Sequence, residues 1–223
     1  MIHITIEGLD GTGKSTLIKA LHDALLFDTD LTRWVYATKE PGLTVKAMAG
    51  LEFNRPGIDV REIVLNDISL TPFERELLFY VDASQHRKFI NDQNGAIVLT
   101  DRGLWTHLSY LRATLKTGQL DYQQYEICKD VIDQVCPVPT FIVYLRGSLA
   151  LMKERNRDKK KDLIESNGED FFGYVLETYE DLAFENSKCL ILDANDSTCK
   201  NVELVVKSLK ERFTYEQLQS GNF

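Results

Sequence analysis

The feature that most restricts the fold of this chain is a glycine-rich segment at residues 8–15, Gly-Leu-Asp-Gly-Thr-Gly-Lys-Ser. It fits the pattern G-x-x-x-x-G-K-[ST], whose backbone N–H groups surround phosphate oxygens. An alternating apolar stretch at residues 2–6 precedes it and predicts a β-strand. Apolar residues at helical spacing follow from Ser15 to Phe27. Strand, loop and helix in this order predict a site for ATP or GTP.

The residue types in this loop indicate how it would bind a nucleotide. Glycines let the backbone bend tightly and approach phosphates, and the start of the following helix adds a positive field. Lys14 would reach the β- and γ-phosphates, and the Ser15 hydroxyl would bind Mg²⁺. The residues predicted to bind ATP are Gly8, Leu9, Asp10, Gly11, Thr12, Gly13, Lys14, Ser15 and Thr16.

The remaining chain alternates between strand and helix patterns. Further strands are predicted at residues 33–38, 96–100, 140–145 and 189–192. Capping boxes at Thr71 and Asp121 predict the starts of two helices. Residues 45–58 contain glycine and proline breaks and predict a short helix and a loop. The alternation predicts one α/β domain over residues 1–223, a P-loop NTPase fold with three α/β/α layers and a five-stranded parallel sheet.

Two other segments carry charges suited to a nucleotide site. Asp101 follows a buried apolar strand, where a carboxylate supports Mg²⁺ in the second half of such sites. A basic run at residues 155–161 has two interpretations that spacing alone leaves open. It forms a solvated polar face, as charge runs usually do, or a mobile basic flap that neutralises a triphosphate.

Composition and charge restrict the partners and the compartment. The formal net charge of −8 argues against broad nucleic-acid binding. The four cysteines contain no C-x-x-C pair, which favours reduced thiols in a cytoplasmic protein. No stretch approaches the length of a membrane span, and the chain enters its first strand without a recognisable signal peptide.

Taken together, the motifs resemble those of the thymidylate kinases, a branch of the P-loop nucleoside monophosphate kinases. Residues 6–16 resemble the opening signature of that family, and residues 38–44, Thr-Lys-Glu-Pro-Gly-Leu-Thr, resemble its T-R-E-P-G-G-T segment. Further matches in the same order lie at residues 61–65, 76–86, 100–102, 162–179 and 192–194. Separated matches in one order are more specific than any single motif.

The resemblance implies transfer of the ATP γ-phosphoryl group to a deoxynucleoside 5′-monophosphate, foremost dTMP to dTDP in dTTP synthesis, with Mg²⁺ held by Ser15 and Asp101. It also implies a homodimer and a basic lid at about residues 155–168. The acceptor phosphate would bind Arg102, the base would stack on Phe79, and Tyr110 would pack by the deoxyribose. The implied acceptor-side residues are Asp10, Lys39, Pro41, Arg61, Phe79, Ala83, Arg102, His107 and Tyr110.

Several positions depart from the family pattern. Some members carry an arginine inside the phosphate loop, where this chain has Gly11, so a catalytic cation would come from the lid. Arg157 is the first candidate and Arg155 the second, beside the catalytic residues Lys14, Asp10 and Arg102. Ala83 stands where the family has an arginine that bonds the base. His107 stands where the family usually has a residue with a side-chain amide. The segment at about residues 45–60 is longer than its family counterpart.

Three alternatives stand beside the thymidylate kinase interpretation. One is a nucleic-acid-binding ATPase that uses the basic run at residues 155–161, against which the net charge of −8 weighs. Loss of a base-directed hydrogen bond at Ala83 would relax selectivity, giving a broader deoxynucleoside monophosphate kinase or a nucleoside kinase on the same fold. A non-catalytic nucleotide switch such as a GTPase would need an N-K-x-D guanine-reading motif, which the sequence lacks.

Overall fold

The computed structural model describes residues 1–28, 34–47, 51–187 and 189–213. Within these ranges the centre is one sheet of seven strands, β1 (Ile2–Glu7), β2 (Val35–Lys39), β3 (Thr44–Lys46), β4 (Glu52–Asn54), β5 (Ile97–Asp101), β6 (Phe141–Arg146) and β7 (Leu190–Asp193). Their spatial order is β4-β3-β2-β5-β1-β6-β7. Strands β2, β5, β1, β6 and β7 run parallel, which confirms the predicted parallel α/β sheet.

The sheet has two more strands than the predicted five. Strands β3 and β4 pair antiparallel beyond β2, so a hairpin occupies the segment for which a helix and a loop were expected. Each of these strands is three residues long, too short to show a period-2 pattern. Residues 48–50 of this segment, and Arg33 of the predicted second strand, lie outside the described residues.

Helices cover both faces of the sheet. They are α1 (Lys14–Phe27), α2 (Arg61–Asn66), α3 (Pro72–Asp92), α4 (Leu104–Lys116), α5 (Tyr122–Val135), α6 (Leu149–Asn156), α7 (Glu169–Glu185) and α8 (Thr198–Arg212). The three-layer arrangement agrees with the predicted P-loop fold. In the described part of the chain, none of these helices has the length and apolar character needed to cross a membrane.

The alternation of side chains along β1 explains the two layers. Ile2, Ile4 and Ile6 point to one face and pack with α1 and α8 in the largest apolar cluster. His3 and Glu7 point to the opposite face and bond Thr100 and the start of α4. All six residues of the strand are buried because both faces are covered.

Local signals start two of the long helices where they were predicted. Thr71 and Glu74 form the capping box of α3, and Asp121 and Gln124 form that of α5. In each box the first side chain accepts from a free backbone N–H and the second side chain accepts from the cap residue. Each cap stabilises its helix by about 1 kcal/mol.

The strand register brings the predicted functional segments to one edge. Asp101 pairs with Ile6 of β1 and with Lys39 of β2. The chain leaves β1 for the glycine-rich loop immediately beyond this pairing. Ligands bind outside the carboxyl ends of strands in sheets of this kind, so this edge is where a site is expected.

Candidate functional site

The loop at residues 8–13 forms a tight turn in which three glycines have positive φ values. Gly8, Gly11 and Gly13 have φ values of 139°, 78° and 103°. A Cβ built on Gly8 would lie 2.5 Å from the carbonyl oxygen of Leu145, which belongs to β6. The close approach of two backbones therefore excludes any larger residue there.

Lys14 is held inside this loop, with 5% of its surface exposed. Its Nζ donates to the carbonyl oxygen of Leu9 at 2.8 Å, and the Thr12 hydroxyl donates to the same oxygen at 2.8 Å. Burial, followed by the nearby charge of Arg102, lowers the pKa of Lys14 to about 8. The loop thus concentrates a poorly hydrated cation and several backbone donors, as a polyphosphate site requires.

Ser15 and Asp101 supply oxygens suited to Mg²⁺. The Ser15 Oγ donates to Asp101 Oδ2 at 2.6 Å, while the buried Oδ1 has no hydrogen-bond partner among the described residues. Hydroxyl and carboxylate oxygens are ligands that Mg²⁺ accepts, and Mg²⁺ in kinases is held by few protein groups plus phosphates. In the described ranges no cluster of three or more His, Cys, Asp or Glu could hold a metal by itself. The pair therefore fits the predicted ion.

Arg102 has a backbone conformation rare for a residue with a side chain. Its φ is 78°, in the left-handed region, at a cost of roughly 1–2 kcal/mol. Its N–H donates to the Ile6 carbonyl at 3.1 Å, which fixes this turn against β1. Strain of this kind collects at functional sites, where the structure holds a side chain in a required direction.

The Arg102 side chain meets Asp10 of the glycine-rich loop. Its Nη2 donates to Asp10 Oδ1, and Tyr110 donates to Asp10 Oδ2 at 3.4 Å. Burial opposes ionisation of Asp10, but the charges of Arg102 and Lys14 outweigh it and hold the pKa of Asp10 below its ordinary value. The predicted donor-side lysine and acceptor-side arginine thus lie around one carboxylate.

A cavity of about 340 Å³ opens beside this cluster. Volumes in this range fit small-molecule ligands. All acceptor-side residues named from the sequence line it except Ala83. Ala83 is fully buried against Leu111 and Cys128 in the core under α3, so it has no surface that a substrate could contact. The expectation that Ala83 lies at the base is corrected accordingly.

The segment at residues 157–168, between α6 and α7, forms another wall of this cavity. The N–H of Leu163 donates to the carbonyl of Leu65 in α2 at 3.0 Å. Glu165 and Asp162 brace the turn, since the Glu165 N–H donates to Asp162 Oδ1 at 2.8 Å. This segment therefore lies against the acceptor-side cavity as well as following the basic end of α6.

The two lid arginines occupy different environments. Arg155 Nη1 donates to the carbonyl oxygens of Gly11 and Thr12 at 3.0 and 3.1 Å, and Nη2 donates to Ala194 at 3.2 Å. Arg157 is exposed, and no described residue forms an ion pair or a side-chain hydrogen bond with it. Arg155 thus braces the outside of the glycine-rich loop, while Arg157 keeps its five donors available.

A buried acid, Glu40, and one of its two histidine partners, His86, were not predicted from the sequence as site residues, whereas the other partner, His107, was. Glu40 Oε2 pairs with His107 Nε2 at 2.9 Å, and Oε1 pairs with His86 Nδ1. Burial opposes the charge of Glu40, but both histidines outweigh it and lower the pKa of Glu40. Burial likewise opposes protonation of His107, but Glu40 outweighs it and raises the pKa of His107. Glu40 precedes Pro41 at the end of β2, a position that signalled a turn.

The fold and this cluster define a class of protein, the ATP-dependent nucleotide kinases with a P-loop. Comparison with known proteins is more specific. The family model for thymidylate kinase matches residues 6–205. The chain belongs to the thymidylate kinase family.

Individual relatives are distant but extend over almost the whole chain. A thymidylate kinase from Mesoplasma florum is 28% identical over 94% of this chain and 95% of its own length. A thymidylate kinase from Campylobacter concisus is 25% identical over 96% of this chain and 100% of its own length. Among solved structures, a thymidylate kinase from Candida albicans has a TM-score of 0.71 at 17% identity, covering 94% of this chain and 91% of that one. A deoxyadenosine kinase from M. mycoides has a TM-score of 0.69 at 18% identity, covering 94% and 100%.

Proposed function

We propose that this protein transfers the γ-phosphoryl group of ATP to a deoxynucleoside 5′-monophosphate, with dTMP as its main acceptor and dTDP as product. Family membership supports the reaction class. The observation that carries the proposal is the meeting of Lys14 and Arg102 at Asp10, beside a cavity of nucleotide-binding size. Such transfer depends on positioning and charge neutralisation, which this arrangement of charges supplies.

On this proposal, each charged group has one task. The loop amides and Lys14 hold the donor phosphates, and Arg102 holds the acceptor phosphate. The Arg102 Nη1 is buried without a hydrogen-bond partner among the described residues, so the guanidinium retains a donor for a phosphate oxygen. Asp10 faces the sugar 3′-hydroxyl and aligns Arg102.

Two side chains in the cavity wall suit the nucleoside. Phe79 is partly buried beside the core under α3 and also lines the cavity, where a base can stack on it. Tyr110 packs by the deoxyribose and disfavours a 2′-hydroxyl. Ser15 and Asp101 would hold Mg²⁺, which would neutralise phosphate charge during transfer. Arg157 supplies the lid cation to the γ-phosphate, with Arg155 as the second candidate.

A second candidate function is a broader deoxynucleotide kinase or a nucleoside kinase on the same fold. The resemblance implies a base-bonding arginine at position 83, and the alanine there is buried outside the cavity, so this chain lacks that hydrogen bond. One lost buried hydrogen bond shifts discrimination by ~1–3 kcal/mol. The structure of the Candida albicans enzyme is described as revealing the origin of broad substrate specificity, and the M. mycoides enzyme is a deoxyadenosine kinase.

A coupled ADP-release assay tests both candidates. ATP and Mg²⁺ are combined with each common nucleoside monophosphate and each deoxynucleoside, and kcat/KM is compared. We expect the highest value for dTMP and no turnover in Lys14→Met. A panel in which another acceptor reacts well and dTMP does not would contradict the main proposal and support the second.

The homodimer implied by the family resemblance and the cytoplasmic location favoured by the cysteine pattern also stay proposals. Light scattering after size exclusion measures the mass in solution directly. A mass close to 25.5 kDa, that of one chain, would contradict the homodimer.

A further inference from the structure

Arg55 differs from every residue around it in the lengthened segment. Residues 51–54 and 56–59 are exposed, whereas Arg55 is 1% exposed and ranks as the bulkiest fully buried side chain among the described residues. An arginine charge is removed from water at high cost unless it is paired and hydrogen-bonded. A buried arginine in an otherwise exposed hairpin therefore indicates a specific contact.

That contact joins three separate segments. Arg55 Nη2 donates to Asp82 Oδ1 at 2.6 Å and to the Gly42 carbonyl at 3.1 Å. The Gly42 N–H donates to the other Asp82 oxygen, Oδ2, at 3.4 Å. The Arg55 N–H also donates to the Leu43 carbonyl at 2.9 Å. Guanidinium, carboxylate and peptide thus tie the hairpin and the turn after β2 to helix α3.

The tied groups form part of the wall of the acceptor-side cavity, while Arg55 itself does not line it. Lys39, Pro41 and Asp82 border the cavity. Arg61 adds a second link, because its Nη1 donates to the Pro41 carbonyl at 2.7 Å. Any effect of Arg55 on a ligand must therefore pass through Asp82 and the turn at residues 39–42.

The buried charge of Asp82 depends on its contact with Arg55. Burial raises the pKa of Asp82, and the adjacent Arg55 opposes that rise. Asp82 is 1% exposed, so little water reaches its carboxylate to replace the guanidinium as a partner. Loss of Arg55 would leave a buried acid without its cation beside a cavity that receives an anionic nucleotide, and breaking such a pair is strongly destabilising.

We propose that Arg55 is a positioning residue for the acceptor nucleotide, which fixes Asp82 and the turn at residues 39–42 in the geometry that binds it. The inference rests on the proposed use of this cavity by the phosphoryl acceptor. This role would account for the lengthened segment, because that segment supplies the arginine that contacts Asp82 of α3 at the wall of the cavity.

The test compares Arg55→Met, Asp82→Asn and the double variant with the wild type, using the acceptor that the wild type phosphorylates best. We expect the KM of the acceptor to rise roughly tenfold or more in Arg55→Met, as loss of one buried charged partner does. The KM of ATP should stay unchanged, and the double variant should add little to either single change. Arg112→Met is the matched control, because Arg112 pairs with Glu177 and Asp181 at the surface of α7.

Hydrogen exchange supplies a readout independent of turnover. Arg55→Met should speed exchange at residues 39–43 and leave the loop at residues 8–15 unchanged. A folded Arg55→Met with the wild-type KM for the acceptor would overturn the inference, as would an equal rise in the KM of ATP. If Arg55→Met does not fold, the same criteria of KM and hydrogen exchange are applied to Arg55→Lys and Asp82→Asn. A wild type that phosphorylates no nucleoside monophosphate contradicts the proposed function, while the exchange pattern still decides the role of Arg55.

Discussion

At the scale of single residues, Lys14 carries a positive charge in a place with almost no water. A desolvated ammonium attracts phosphate more strongly than a hydrated one, but it also loses its proton more easily. The pKa of about 8 means that the free protein has a substantial neutral fraction at mildly alkaline pH. Bound phosphates restore the charged form, so proton and nucleotide binding are linked.

The affinity for ATP should therefore fall as pH rises through about 8, the pKa of free Lys14. Calorimetric titration from neutral to alkaline pH measures the dissociation constant along this range. Lys14→Arg is the control, because arginine remains charged throughout. An unchanged pH dependence in Lys14→Arg would contradict Lys14 as its source.

The site residues were predictable to different extents for a physical reason. The groups of the glycine-rich loop are adjacent in sequence, so their chemistry is visible as a motif, and Asp101 and Arg102 follow a recognisable strand. The Glu40 pairs with His86 and His107 span 46 and 67 positions, and the Arg55 pair with Asp82 spans 27. A single sequence carries no local pattern for such pairings.

At the scale of elements, the end of α6 separates two functions that the sequence presents as one basic run. Arg155 contacts the backbone of the glycine-rich loop, whereas Arg157 is the first residue after the helix. A fixed arginine supports the loop, and an available one can stabilise charge on a transferring phosphoryl group.

Arg157→Ala should lower kcat about 1,000-fold, roughly the lower end of the range for loss of such an arginine, with little change in the KM of ATP. Arg155→Ala should instead raise the KM of ATP, because the Gly11 and Thr12 carbonyls lose their donor. Steady-state kinetics separates the two effects. Lys153→Ala is the control on the same helix, where Lys153 pairs with Glu169 at the surface. Near-normal turnover in both arginine variants would refute a catalytic lid cation.

Among the elements, those with local start signals were the predictable ones. Helices α3 and α5 carry capping boxes, and strands β5 and β6 contain continuous apolar runs. The β3–β4 hairpin has neither signal, because its pairing depends on contact with β2 and on the buried Arg55. Tertiary contacts decide such short strands, and local propensity does not.

At the scale of the whole molecule, stability depends on pH through a histidine in the central strand. His3 lies in β1, fully covered on both faces, and its Nε2 bonds Thr100 Oγ1 at 2.9 Å. Burial, followed by the charge of His86, lowers the pKa of His3 from 6.5 to about 4. The unfolded chain therefore binds a proton in this range that the folded protein excludes, so this group removes stability as pH falls.

His3→Gln should abolish that loss, which amounts to about 3 kcal/mol of unfolding free energy between pH 6.5 and pH 4. Urea unfolding of both proteins at a series of pH values measures the difference. The variant is compared with the wild type because Glu7 and Glu76 raise the free energy of unfolding as pH falls, since burial raises the pKa of each. Thr100→Val removes the hydrogen bond without a titrating group and should shift stability equally at every pH. Parallel curves for His3→Gln and the wild type would contradict the role of His3.

The backbone hydrogen bond between Leu163 and Leu65 has a consequence for the expected rate of turnover. It joins the segment after α6 to α2 along one side of the cavity, so any opening of the cavity between these two elements requires that bond to break. We expect this opening to limit turnover, as is common for enzymes that close over their substrates. Raising the solvent viscosity with sucrose should accordingly lower the steady-state rate of turnover. The rate of the first phosphoryl transfer within the closed site should stay unchanged.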